Sequence, residues 1–270
     1  TLPNPQVPTE PFQIEDAVSF PLGPLENATW KSSNCAFAKL SQVVGLDYLG
    51  HFLSVLGAAS PITPYPAFVT GANEISTFDM ATMFATLANG GIYNTPYTVE
   101  KIVGPTGKVL FEHVPAPVQM IPVEVANETM QTLKGVLVSG TGRTGALANN
   151  RPAAGKTGTQ DNNTNAWFVG ATPQVTTAVW VGDPNAYTPM VNIPYFAYPE
   201  IQGGTYPVLI WKTYMDTVLA YSEPLDWGPG LEPRRPVRLF LQGLECTSST
   251  VIPLSDTAYA APANAKVTAC

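Results

Sequence analysis

At 270 residues and 45% apolar, the chain is long enough to bury a sizeable core as one domain. A net charge of −7 with only 12% charged residues argues against a nucleic-acid partner and against a basic membrane-surface helix, and it makes the surfaces polar rather than ionic. The 27 prolines suit long, rigid loops, and no apolar run approaches the roughly 18 residues needed to cross a bilayer.

In chain order, the proline-punctuated residues 1–24 are expected to run extended over the surface. Ser32 and Asn34, a hydroxyl and an amide two residues apart, stand just before a helical pattern over 34–44 with Phe37, Leu40 and Val44 on one face. A second apolar helical run covers 47–56, where His51 reads as packing rather than catalysis. The loop 58–73 leads to Ser76-Thr77-Phe78-Asp79, a hydroxyl with an acid three residues on that resembles a capping box. Met80, Met83, Phe84 and Leu87 then recur at helical spacing as ordinary core, and Gly90-Gly91 ends that helix.

Residues 98–103 and 108–114 flank Gly104-Pro105-Thr106-Gly107 as a surface hairpin. A helix is predicted over 123–138, with Ser139-Gly140-Thr141-Gly142 as a flexible lead into a strand over 153–159. Strands over 166–171 and 176–182 continue an antiparallel meander. A closing helix over 207–221 is expected to lay Leu209, Ile210, Tyr214 and Val218 on the sheet, with Tyr221 at its end. Beyond Glu223 the composition turns to proline, serine and threonine, so a poorly packed extension is expected.

The candidate chemistry centres on Lys156-Thr157-Gly158-Thr159. In a strand, Lys156 and Gly158 share one face while Thr157 and Thr159 share the other. Gly158 leaves an opening beside an ammonium, and a glycine inside a strand marks a place where another chain approaches closely. If the strand is an edge, an extended substrate can pair with its backbone, with Lys156 fixing a negative charge and the threonine hydroxyls binding a carboxylate. Gly155-Lys156-Thr157 also ends like a phosphate-cradling loop, but the required earlier glycine is Asn150, and a turn and strand follow instead of a helix. Upstream, Ser32, Ser33 or Asn34 reads equally as a helix N-cap or, with Ser32 and Asn34 paired, as S-x-N.

A metal site is not expected, because no Cys or His cluster has ligand spacing and only His51 and His113 occur. Of the three cysteines, Cys246 and Cys270 are placed to close a disulfide in an oxidising compartment, and Cys35 reads as a small buried residue.

S-x-N at Ser32 and Asn34, followed by K-T-G at 156–158, resembles the serine penicillin-binding proteins, whose site is assembled from S-x-x-K, S-x-N and K-T-G, a set shared with class A β-lactamases. Ser32-Ser33-Asn34-Cys35-Ala36-Phe37, M-A-T-M-F-A-T-L-A-N-G-G at 80–91, Ser139-Gly140-Thr141-Gly142, residues 161–170 and T-A-V-W-V-G-D at 177–183 look like the class A, bifunctional type, over roughly residues 15–225. The resemblance implies an α+β serine transpeptidase fold, an antiparallel sheet flanked by helices. It divides the chain into the C-terminal portion of a transpeptidase domain, 1–225, and a Pro/Ser/Thr-rich extension, 226–270.

The family's nucleophile motif is missing, since no serine stands three positions before any lysine and only 31 residues precede Ser32. Beginning at Thr1, the chain therefore reads as the later part of a longer protein, incomplete at its N-terminal side and inactive alone. A sheet holding only its last three strands is expected to leave an inner edge unpaired and the isolated chain marginally stable.

The resemblance further implies peptidoglycan stem peptides and β-lactams as partners, no cofactor, an upstream glycosyltransferase domain and membrane anchor, and an extracytoplasmic location. It casts Ser32 and Lys156 as proton relay, Asn34 as the group positioning the substrate amide, and Thr157, Gly158 and Thr159 as the substrate-binding strand. A non-catalytic wall-binding homologue and a serine β-lactamase are the competing expectations.

Overall fold

The computed structural model describes residues 14–17, 23–194 and 197–231. Most of the expected extended segment, and Cys246 and Cys270, lie outside these residues. The helices are α1 (Leu25–Lys31), α2 (Asn34–Val44), α3 (Leu46–Leu56), α4 (Thr77–Ala88), α5 (Val123–Val138) and α6 (Tyr206–Val218). The strands are β1 (Ile92–Tyr93), β2 (Lys101–Val103), β3 (Val109–Glu112), β4 (Val118–Gln119), β5 (Ala154–Thr159), β6 (Asn165–Ala171) and β7 (Thr176–Gly182). This is an α+β arrangement, in which β1 pairs with β4 and β2 with β3 as small ribbons while β5-β6-β7 form the central antiparallel sheet.

The sheet's register decides which residues meet which helix. Ala154 pairs with Ala171, Lys156 with Val169 and Gly158 with Trp167, so these share one face, while Gly155, Thr157 and Thr159 fall on the other with Gly170, Phe168 and Ala166. Small residues on the first face admit α5, whose Met130, Leu133 and Val136 cluster with Ala154 and Ala171. On the second face Phe168 and Val179 pack with Val208, Trp211 and Met215 of α6 and with Leu219 just after it. Burying aliphatic and aromatic side chains of this kind stabilises by about 1.5–3 kcal/mol each. Trp211 fits because its partner strand is bare there: a Cβ on Gly170 would stand 2.8 Å from the indole, whose Nε1 donates to the Gly170 carbonyl at 3.1 Å.

Several expectations about faces are corrected. On α6 the buried side chains are Val208, Trp211 and Met215, whereas Ile210, Tyr214 and Val218 are exposed and Tyr221 lies outside the helix, fully exposed. Both stripes have helical spacing, so periodicity alone did not distinguish them, and the pair with the larger indole and thioether won the core. On α2 the buried positions are Ala38 and Ser41, and Val44 is exposed. His51 is exposed on α3 rather than packed, and Cys35 is only partly buried.

The Ser76 hydroxyl does cap α4, accepting the Asp79 N–H at 3.0 Å, and the Asp79 carboxylate also bonds the Ser76 side chain. It is buried and accepts the N–H groups of Ala59 and Ser60, each at 3.1 Å, together with the Ser60 hydroxyl. Asp79 thus ties the α3–α4 connection to the start of α4.

The expected looseness after Glu223 does not hold as far as Leu231. Trp227 is buried, and its Nε1 donates to the Ala88 carbonyl at 2.9 Å. Lys134 bridges Asp226 at 2.7 Å, and Gln131 donates to the carbonyls of Trp227 and Gly228. One tryptophan, set in polar sequence, anchors this stretch across α4 and α5.

Candidate active site

Three consecutive residues between α1 and α2 take three different positions. Ser32 closes α1 in the left-handed region, at φ 58° and ψ 47°. Ser33 is the N-cap of α2: its hydroxyl accepts the Ala36 N–H at 3.2 Å and donates to the Asp16 carboxylate. Asn34 opens α2, and its Nδ2 donates to the Glu15 carbonyl at 3.1 Å. With capping assigned to Ser33, the Ser32 side chain is released towards the sheet.

There it meets Lys156, whose Nζ donates to the Ser32 Oγ at 2.7 Å and to the Thr157 carbonyl at 2.9 Å. Loss of hydration around the ammonium lowers its pKa from 10.5 to about 8. Among the described residues it forms no salt bridge. The structure therefore brings Ser32 and Lys156 together, while the Asn34 amide is bonded to the 14–17 segment.

The 2.7 Å contact requires α1 to be held against β5, and residues 135–142 do this. Trp30 lies across Gly135 of α5, where a Cβ would stand 2.0 Å from the indole, and its Nε1 donates to the Thr132 carbonyl at 2.8 Å. Thr141 donates its N–H to the Trp30 carbonyl at 3.1 Å, and its Oγ1 lies 2.6 Å from the Thr157 Oγ1. Ser139-Gly140-Thr141-Gly142, expected as a flexible lead, is in fact the tie between the helix end carrying Ser32 and the strand carrying Lys156. Glycine is needed at 140 because a Cβ there would sit 2.6 Å from the Trp30 carbonyl oxygen.

β5 is an edge of the central sheet among the described residues. Gln160 donates its N–H to the Asn165 carbonyl, so by antiparallel alternation Lys156 and Gly158 turn their backbone groups to β6 while Thr157 and Thr159 turn theirs outward. The Thr157 side chain is 9% exposed, and its hydroxyl is engaged with that of Thr141. Thr159 is exposed, and its Oγ1 accepts the Gly203 N–H at 3.1 Å.

Gly203 packs closely on the backbone of Gly158 and Trp167. A Cβ on Gly203 would stand 2.6 Å from the Gly158 oxygen and 2.4 Å from the Trp167 oxygen. Sequence reasoning missed Thr141, Gly203 and the Trp30–Gly135 contact; the signals were the glycine pairs in S-G-T-G and Q-G-G-T. The described residues hold no group of His, Cys, Asp and Glu fit for a metal and no helix long and apolar enough to cross a membrane.

A Ser–Lys contact beside an open strand edge suits acyl transfer to or from a serine. Residues 3–190 match the family model described as the penicillin binding protein transpeptidase domain. Penicillin-binding protein 1A of Mycolicibacterium smegmatis is 38% identical over 176 residues, covering 63% of this chain and 22% of that protein. The solved structure of the penicillin-binding protein PonA1 from Mycobacterium tuberculosis matches with a TM-score of 0.73 and 27% identity, over 83% of this chain and 66% of that one. The same protein in complex with penicillin V matches at 0.70 and 30% identity, over 78% and 62%. The chain thus spans about a fifth of the length of a relative such as the M. smegmatis protein, and with the family model covering more than half of its residues it belongs to the penicillin-binding protein transpeptidase domain family.

Proposed function

We propose that this chain supplies one wall of a peptidoglycan D,D-transpeptidase site in a class A, bifunctional type of penicillin-binding protein. The observation that carries the proposal is the 2.7 Å contact of Lys156 with Ser32 beside the open edge of β5. A serine elsewhere in the parent attacks the penultimate D-Ala carbonyl of a stem peptide and releases the terminal D-Ala. An amine from a neighbouring stem then resolves the ester. Lys156 and Ser32 relay the proton to the leaving amine. The outward N–H of Thr159 contributes to the oxyanion hole, and its hydroxyl holds the substrate carboxylate. Asn34 positions the substrate amide once its bond to Glu15 is exchanged, and Gly158 leaves an opening for the substrate beside the Lys156 ammonium. β-Lactams acylate the same serine.

Having no S-x-x-K, the chain by itself does not turn over stem peptides. The parent carries a glycosyltransferase domain and a membrane anchor and works on the extracytoplasmic side. The Pro/Ser/Thr-rich extension is taken from residue 226 onward, with its first residues docked on the transpeptidase portion through Trp227. The test is labelling of the full-length parent by a fluorescent penicillin, with Lys156→Ala expected to slow it by about 100-fold or more, as for loss of a general acid–base. A parent that does not label removes the enzyme and leaves a wall-binding homologue.

A further inference from the structure

We propose that Ser32 is a latent nucleophile activated by Lys156, able to take an acyl group from a small ester with a good leaving group. This activity belongs to the chain itself and does not depend on the transpeptidase proposal or on a serine from elsewhere. A nucleophile and its base are recognised by hydrogen-bond contact with the base oriented by a third group. Here Nζ and Oγ are 2.7 Å apart, and the Thr157 carbonyl at 2.9 Å fixes the amine. The Ser32 hydroxyl has no other hydrogen-bond partner among the described residues, and the residue is part-exposed.

The electrostatics suit the role. With its pKa near 8, Lys156 is a neutral amine over much of the mildly alkaline range, and the 2.7 Å contact then reverses so that the hydroxyl donates. Burial alone accounts for this, and no charged neighbour contributes: Lys31, at the same end of α1, directs its ammonium to the Ser139 carbonyl at 3.4 Å. Cys35, the competing nucleophile nearby, is held back, because burial and the Asp16 carboxylate raise its thiol pKa.

In the step, Nζ takes the Ser32 proton as Oγ bonds to the ester carbonyl carbon. The tetrahedral adduct then breaks its bond to the phenolate, which leaves with the electron pair. The acyl group stays on Ser32 and the ammonium returns its proton to water.

The probe is p-nitrophenyl acetate with chain 1–270, read by nitrophenolate release and by mass mapping of acetylated peptides. One acetyl on Ser32 is expected, at a rate rising with pH through a midpoint of about 8. Ser32→Gly abolishes that adduct while suiting the positive φ, so its fold is kept. Lys156→Arg keeps the cation but takes no proton in this range, and acetylation falls by about 100-fold. No acetyl on Ser32, acetyl confined to Cys35, or an unchanged rate in Lys156→Arg overturns the proposal. Should Lys156→Arg fail to fold, a wild-type rate with no inflection near pH 8 overturns it equally.

Discussion

Replacing Gly203 with alanine tests how the loop before α6 is seated on the candidate site. The added Cβ would stand 2.4 Å from the Trp167 oxygen, 2.6 Å from the Gly158 oxygen and 2.8 Å from the Gly158 nitrogen. All three are backbone atoms of paired strands and cannot swing aside as a side-chain end does. Gly203 is not in the left-handed region, so the effect is steric and free of a conformational term. The loop must lift, which costs about 1–3 kcal/mol for overpacking. Lifting also breaks the 3.1 Å bond from the Gly203 N–H to the Thr159 hydroxyl, a further loss of about 0.5–1.5 kcal/mol. Urea unfolding of the chain, followed by tryptophan fluorescence, should therefore show Gly203→Ala about 1.5–4.5 kcal/mol less stable than wild type. A difference under about 0.5 kcal/mol, the range of ordinary surface changes, would refute the seating of Gly203 over Gly158.

Trp227→Ala should cost about 3–5 kcal/mol in the same assay, because it empties a core site and leaves the Ala88 carbonyl without its indole donor; a near-neutral result would mean the stretch after Glu223 is not docked. Gly50→Ala should go the other way, stabilising by about 0.5–1 kcal/mol through helix propensity, since its Cβ meets Pro64 and Ile62 only at ordinary contact distances of 3.6 and 3.7 Å. Lys156 gives a pH signature. Its folded-state pKa is depressed, so the unfolded chain binds the extra proton between pH 8 and 10.5; stability from this group is absent below about pH 8 and grows towards 10.5. At about 1.4 kcal/mol per pH unit the gain is on the order of 3 kcal/mol, and its absence from the difference between wild type and Lys156→Met would show that the ammonium is not desolvated.

Much of the architecture was legible because it depends on local pattern. α5 begins and ends where its apolar spacing does, and the meander of β5, β6 and β7 follows from short apolar runs separated by turn residues. α1 was not foreseen: its seven residues carry no apolar stripe, and what holds them is Trp30 against Gly135, more than a hundred residues away. The exposed stripe of α6 was misassigned for the same reason, since Ile210 and Tyr214 are as apolar as Val208 and Trp211, and only the bare backbone at Gly170 selects the indole. At the candidate site, Lys156 and Ser32 were found as a pair, but the element that joins them was not. Thr141 bonds through one backbone N–H and one hydroxyl to partners on two different elements, and such a bridge leaves no periodicity to read.

The choice of serine at position 32 has its own physical logic. A residue that only ended α1 in the left-handed region would favour glycine, which adopts that conformation without penalty. Any residue with a Cβ there costs about 1–2 kcal/mol, and among the described residues with positive φ Ser32 is the only one that is not asparagine or glycine. Capping does not explain it, because Ser33 caps α2. Packing does not explain it either, because the side chain is part-exposed and its hydroxyl is directed at Lys156. What remains is the hydroxyl itself, 2.7 Å from an amine that burial brings to a pKa of about 8. Ser32→Gly should therefore leave the fold intact or firmer while removing the chemistry, a separation that a purely structural serine would not show.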